Sequence, residues 1–235
     1  MSSAKKKIYW IPLEAEPGAM NKVIRQMGVG PSVTFSDVWS LDDEVLDTVP
    51  QPVHALVFLF PEVKEINDIR HREALDSQSK VSPNVWHMKQ TIGNACGTMA
   101  IFHALGNNQK AIPIGGDLAA FFGKVNGLSP EEKAAVLETD SALAEAHRIG
   151  AVAGQTEAPA PDARVGHHYV AYSVVDGDLY EHDGGLRTPI NHGPSTDVLR
   201  DTVRSVRKRI AFFEGNNIEF SLIALSTTND DTSKS

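Results

Sequence analysis

Asp176-Gly177 separates two short β-rich runs, residues 169–175 and 179–181, and it narrows the possible folds of this chain more than any other feature. The tightest hairpin turns need positive φ at both central positions, and Asp-Gly supplies them. A two-residue turn imposes antiparallel pairing in which positions summing to about 353 face each other. Asp183, just past the second run, therefore returns toward His168 and Val170.

The remaining segments mix helices and strands without regular βαβ alternation. Residues 53–60, β-branched and aromatic and stopped by Pro61, read as a buried strand; residues 8–11, ended by Pro12, and 218–225 read as two more. Residues 17–28 place Met20, Val23, Ile24 and Met27 at helical spacing, and residues 42–49, 95–105 and 118–126 read as further helices. Ser129 before Pro130 starts another, expected to run to about His147. Ser195 or Asp197 caps a last helix with Leu199, Val203, Val206 and Ile210 on one face; its Arg200, Arg204, Arg207, Lys208 and Arg209 read as a solvated face. Residues 62–80 read as an exposed helix or loop. The expected class is α+β, with helices packed on a central, mostly antiparallel sheet, in one domain over residues 1–225 followed by a disordered tail over 226–235.

A chain of 235 residues, 41% hydrophobic and 22% charged, can bury a sizeable core. Its single cysteine forms no internal disulfide, and no charged-then-apolar signal pattern precedes Ile8, so a reducing, cytoplasmic location is expected. The run at 53–60 is far shorter than the ~20 residues that span a bilayer, so no membrane association is expected. A formal net charge of −8 argues against nucleic-acid binding and favours a basic partner surface.

Cys96 is that single cysteine, in Gln90-Thr91-Ile92-Gly93-Asn94-Ala95-Cys96-Gly97-Thr98. A lone cysteine is more often a small buried hydrophobe than a nucleophile. Here it stands at a turn into a helix, where the free N–H groups and positive dipole end favour the reactive thiolate. Gln90 could offer an amide to a developing oxyanion. The hairpin adds a histidine and Asp183 to orient it, although His167 and His168 point to opposite faces of a strand and strand geometry leaves the choice open. The seven other histidines show no metal-ligand spacing with Cys96, no phosphate-binding glycine loop follows a strand, and neither metal nor cofactor is expected.

These residues resemble the ubiquitin C-terminal hydrolases, papain-like cysteine proteases, along most of the chain. The resemblance rests on Trp10-Ile11-Pro12-Leu13-Glu14-Ala15, Lys89 to Thr98, Gly154-Gln155-Thr156-Glu157-Ala158-Pro159, Val175 to Glu181 and Pro189-Ile190-Asn191-His192-Gly193. It implies Cys96 as nucleophile, Gln90 as oxyanion donor and Asp183 as orienting residue, and it selects His168, which precedes Tyr169-Val170-Ala171, as the base. It also implies an αβα sandwich with a knotted backbone, substrate contacts from Glu14 and Asp37 with Pro12 and Leu13 beside them, and a crossover loop at about residues 148–166. The loop looks shorter than in some relatives, which implies small or flexible adducts on ubiquitin. Gly93 stands where a serine is common and Ser221 where an asparagine is common. Ubiquitin is the implied partner, NEDD8 a second candidate, and a monomer the expected state.

Overall fold

The computed structural model describes residues 7–156, 159–163, 165–213 and 219–228. Six strands, β1 (Val33–Asp37), β2 (Val53–Pro61), β3 (His167–Val175), β4 (Asp178–His182), β5 (Ile190–Pro194) and β6 (Ser221–Thr227), form one sheet in the order β1-β6-β2-β3-β4-β5. All neighbours are antiparallel. The hairpin turns at Asp176 and Gly177, both at positive φ, and its register sets Tyr172 opposite Glu181 and Ala171 opposite His182, the pairing that the turn dictates.

Helices cover both faces: α1 (Pro17–Gln26), α2 (Asp43–Leu46), α3 (Lys64–Ser77), α4 (Cys96–Gly106), α5 (Gly116–Lys124), α6 (Pro130–Leu137), α7 (Ser141–Ala151) and α8 (Val198–Ala211). Alternation along the strands divides the core. Ala55, Val57, Tyr169, Ala171, Ile223 and Leu225 pack with α1, α4, α5 and α7, while Leu56, Phe58, Phe60, Val170, Tyr172 and Leu222 pack with Leu199, Val203 and Val206 of α8. The architecture is the expected αβα sandwich. From Gly97 to Gly106 every residue of α4 is buried. Each large apolar side chain there contributes about 1.5–3 kcal/mol, so the helix behind Cys96 is a rigid support.

Several expectations need correction. Residues 8–11 form no strand of the sheet; Tyr9 makes only an isolated parallel bridge to Gly93. The strands β1 and β5 escaped the sequence because they are five-residue edge strands with polar residues and, in β5, a glycine and a proline. The helix from Ser129 ends at Leu137, and Asp140 caps a new one by accepting from Leu143 N. Ser226 is fully buried within β6, so any tail starts no earlier than Thr228; Ile218 and residues 229–235 lie outside the described residues. Asp197, not Ser195, caps α8. Arg209 leaves the solvated face: it is 5% exposed and bonds Glu181. Residues 62–80 contain α3, whose Arg70 is among the most deeply buried side chains. Among the described residues, no helix is long and apolar enough to cross a membrane.

Three buried imidazoles stack behind the site, His87 on His103 at 5.2 Å and His103 on His182 at 5.8 Å, and a fourth, His147, packs on Trp10 at 4.5 Å. Burial lowers His87 and His147 to about 4, His182 to about 3, and His103 well below its ordinary value. All four are neutral when folded and bind protons readily when unfolded, so the stability they contribute is complete above about pH 6.5 and falls as pH drops toward their folded values. Each is expected to remove about 1.4 kcal/mol per pH unit in that window. Urea midpoints measured at pH 7, 6, 5 and 4 should decline steeply below 6.5, and a flat series would refute the neutral stack.

Candidate active site

Asn94, at φ 58°, turns the chain so that Cys96 becomes the first residue of α4, half-buried and with no side chain capping the helix. Gly97 follows it under tight packing: a β-carbon there would lie 3.1 Å from Leu13 Cβ and 3.3 Å from Tyr169 Cε2. The segment ahead of α1 is pinned against this helix. Trp10 N donates to Gly93 O (2.9 Å), His147 Nε2 meets Ile11 O (2.8 Å) while its Nδ1 meets Thr98 Oγ1 (2.6 Å), and Tyr169 Oη donates to Leu13 O (3.0 Å). The position that would hold a serine side chain is filled by Tyr9, whose ring lies 2.3 Å from a β-carbon built on Gly93.

His168 is on the sheet face that carries Phe60, against whose ring it packs edge-on. Its Nε2 is 2.9 Å from Asp183 Oδ2, so of the two histidines it is His168 that the fold brings to this carboxylate. Oδ2 also accepts from Arg70 Nη2 (2.7 Å), and Oδ1 accepts from Gly185 N (2.7 Å). Burial alone would lower the basicity of His168; the Asp183 charge and hydrogen bond, with a smaller contribution from Cys96, raise it to about 10. Burial would raise the pKa of Asp183, and the charges of His168 and Arg70 hold it well below the usual carboxylate range. His168 thus lies near enough to Cys96 to feel it, with Nε2 occupied by the carboxylate.

Gln90 is held from the other side. Its backbone N–H donates to Gly184 O (2.9 Å), and a β-carbon at Gly184 would come within 2.8 Å of that nitrogen, so glycine after Asp183 is what allows the two segments to touch. Its Nε2 donates one hydrogen to Ile92 O (3.1 Å), leaving the other for a ligand. Among the described residues no group of three or more His, Cys, Asp or Glu side chains is arranged to hold a metal.

The sequence profile of ubiquitin carboxyl-terminal hydrolases, family 1, matches residues 10–211. The chain belongs to this family. It is similar to ubiquitin carboxyl-terminal hydrolase 3 of Arabidopsis thaliana, 39% identical over 96% of each chain, and to a ubiquitin carboxyl-terminal hydrolase of Aplysia californica, 41% identical over 86% of this chain and 95% of that one. The catalytic domain of Trichinella spiralis UCH37, solved bound to ubiquitin vinyl methyl ester, shares the fold with a TM-score of 0.73 at 20% identity, covering 93% of this chain and 96% of that one.

In this hydrolase the residues foreseen around the cleft are placed unequally. Leu13 is 5% exposed and supports α4 from within, with Pro12 half-buried beside it. Glu14 accepts from Thr156 N (3.3 Å). Asp37 ends β1, and burial followed by the nearby Glu16 charge raises its pKa; among the described residues no cation pairs with it. Sequence reasoning missed Arg70, which bonds both Glu181 Oε1 and Asp183 Oδ2. A lone arginine in a polar helix looks solvated, and only its partners 111 and 113 residues away reveal it. Tyr169 and His147, which brace the segment ahead of α1, were equally unmarked.

Proposed function

We propose that this hydrolase cleaves the bond after the C-terminal glycine of ubiquitin, and of NEDD8 as a second substrate, favouring small or flexible adducts. The observation that carries this reading is the imidazole of His168, bonded to Asp183 through Nε2 and close enough to Cys96, the first residue of α4, for the two to interact. Cys96 sulfur attacks the glycine carbonyl carbon, and the oxyanion is held by the Cys96 backbone N–H and the free hydrogen of Gln90 Nε2. His168 gives its proton to the departing group. Water, deprotonated by the same imidazole, then attacks the thioester and releases the modifier with a free carboxylate and the thiol restored. A tail ending in two glycines suits such a site, because only glycine backbone can lie close to the walls.

Asp37 and Glu14 are read as the contacts for the basic residues of that tail. Beyond them, Trp39 (82% exposed) and Phe220 (40% exposed) extend past the same end of the β1–β6 ladder, where Val38 N bonds Leu222 O. Large exposed aromatic surface beside a carboxylate that no cation pairs among the described residues fits the folded body of a modifier with a basic tail.

The test is turnover of ubiquitin carrying a C-terminal fluorophore, with the NEDD8 derivative in parallel. Wild type is expected to release fluorophore and Cys96→Ala to release none; an inert wild type, or an active Cys96→Ala, would overturn the reading. In the same assay Asp37→Asn should raise KM about tenfold, the loss of roughly 1.4 kcal/mol of ground-state binding, with kcat nearly unchanged. An unaltered KM would remove Asp37 from the substrate contacts.

A further inference from the structure

The chain between α7, which ends at Ala151, and β3, which begins at His167 beside His168, is described at residues 152–156, 159–163 and 165–166. Two side chains fasten it. On the limb nearer α7, Gly154 is so close to Glu14 that a β-carbon would lie 2.1 Å from Oε2, and Thr156 N donates to the same oxygen at 3.3 Å. On the limb nearer β3, Asn94 Nδ2 donates to Pro161 O at 2.7 Å and to Ala163 O at 2.9 Å.

The second fastening is unusual in where it starts. Asn94 is two residues before Cys96 and sits at φ 58°, one of two non-glycine residues with positive φ among those described. Asparagine tolerates that conformation better than most residues, yet glycine would fill it with less strain, so the backbone alone does not account for the carboxamide. Both hydrogens of its NH2 group are used on the two carbonyls, so it has none left for an oxyanion. The carboxamide therefore ties the strap directly to the turn that carries the sulfur.

We propose that Asn94 is a specificity-determining latch, which fixes residues 159–163 against the nucleophile's turn and thereby limits the width of the group that can leave from the carbonyl attacked by Cys96. This rests on the hydrolase reading above. The two fastenings differ in permanence: the Glu14 carboxylate is also the proposed contact for a basic residue of the substrate tail, so a bound tail competes with Thr156 for it. Asn94 has no such competitor and remains the tie while substrate is bound. A small amide or a flexible peptide passes beside the strap, whereas a folded partner joined without a linker meets it.

Two variants separate the side chain from the backbone. Asn94→Gly keeps the positive φ and removes the carboxamide; Asn94→Asp keeps the size and sets a carboxylate against two carbonyl oxygens. Each is compared with wild type on ubiquitin bearing a C-terminal fluorophore and on ubiquitin fused directly to a folded protein, and limited proteolysis of the free enzyme reads cutting within residues 159–163. For both variants kcat/KM on the folded fusion should rise at least tenfold relative to kcat/KM on the fluorophore substrate, and cutting within 159–163 should accelerate. An unchanged substrate ratio in both variants overturns the latch as a determinant of specificity, even if cutting accelerates. Should wild type fail to turn over the fluorophore substrate, the hydrolase reading fails by itself; unchanged cutting in both variants overturns the tether irrespective of activity.

Discussion

Asp183→Asn is expected to lower kcat on the fluorophore substrate by three to four orders of magnitude, roughly the loss found when a triad carboxylate becomes an amide. Oδ2 of Asp183 serves both His168 Nε2 and Arg70 Nη2. An asparagine fits neither way round: with its oxygen at the Oδ2 position the NH2 group is set against the Gly185 N–H, and with the NH2 group at the Oδ2 position it faces Arg70 and His168 together, forcing Nε2 to accept and moving the imidazole proton to Nδ1, where it could no longer take a proton from the thiol side. The acid–base behaviour should shift with it. In the wild type the proton on His168 is retained until pH rises through about 10, so the alkaline limb of the rate profile should lie there; without the carboxylate, burial lowers the histidine and the limb should move down. A variant with wild-type kcat and the same alkaline limb would show that Asp183 does not orient the base.

Arg70→Leu should destabilise the fold by about 3–5 kcal/mol, because it leaves carboxylates buried and uncompensated. Arg70 is 2% exposed and bonds both Glu181 and Asp183, themselves 1% and 4% exposed. Glu181 retains Arg209 Nη2 (3.2 Å) and the Tyr172 hydroxyl (2.7 Å), so Asp183 bears most of the loss. Arg70→Lys should be intermediate, since a single ammonium lacks the planar fork that spans Oε1 of one carboxylate and Oδ2 of the other. Denaturant midpoints at pH 7 measure both, and a leucine variant within about 1 kcal/mol of wild type would show the network to be dispensable. Both carboxylates are held well below their ordinary range, so the stability they contribute is fully present above about pH 4.5 and is lost only as pH falls through their lowered values. The acid loss expected between pH 6.5 and 4 therefore belongs to the histidines.

Legibility followed the range of the interactions. The hairpin register was readable because a two-residue turn is a local constraint that propagates along two strands. The strand at 53–60, the helix after Cys96 and the helix capped at Asp197 were readable because their apolar patterns match the period of the element. The edges β1 and β5 were not: short polar strands exist only because β6 and β4 are there to pair with them. The helix expected to run from Ser129 to His147 was misread across residues 138–140, where the pattern stays helix-compatible and Asp140 caps the new start. Arg70 and Arg209 were read as solvated because charge signals exposure unless a buried partner exists, and both partners come from β4 or the residue after it.

By itself the sequence determined the parts of this protein whose causes are local: the antiparallel hairpin, the mostly apolar helix behind Cys96, and the return of Asp183 toward His168. Only the tertiary structure decided what those parts amount to. It brought α3 against the hairpin so that Arg70 could hold Asp183, pinned the segment ahead of α1 through His147 and Tyr169, and tied the strap to Asn94. The physical reason is that a buried charge or a shared carbonyl is stable only with its partner in place, and the partner's position is set by the packing of both helical layers on one sheet.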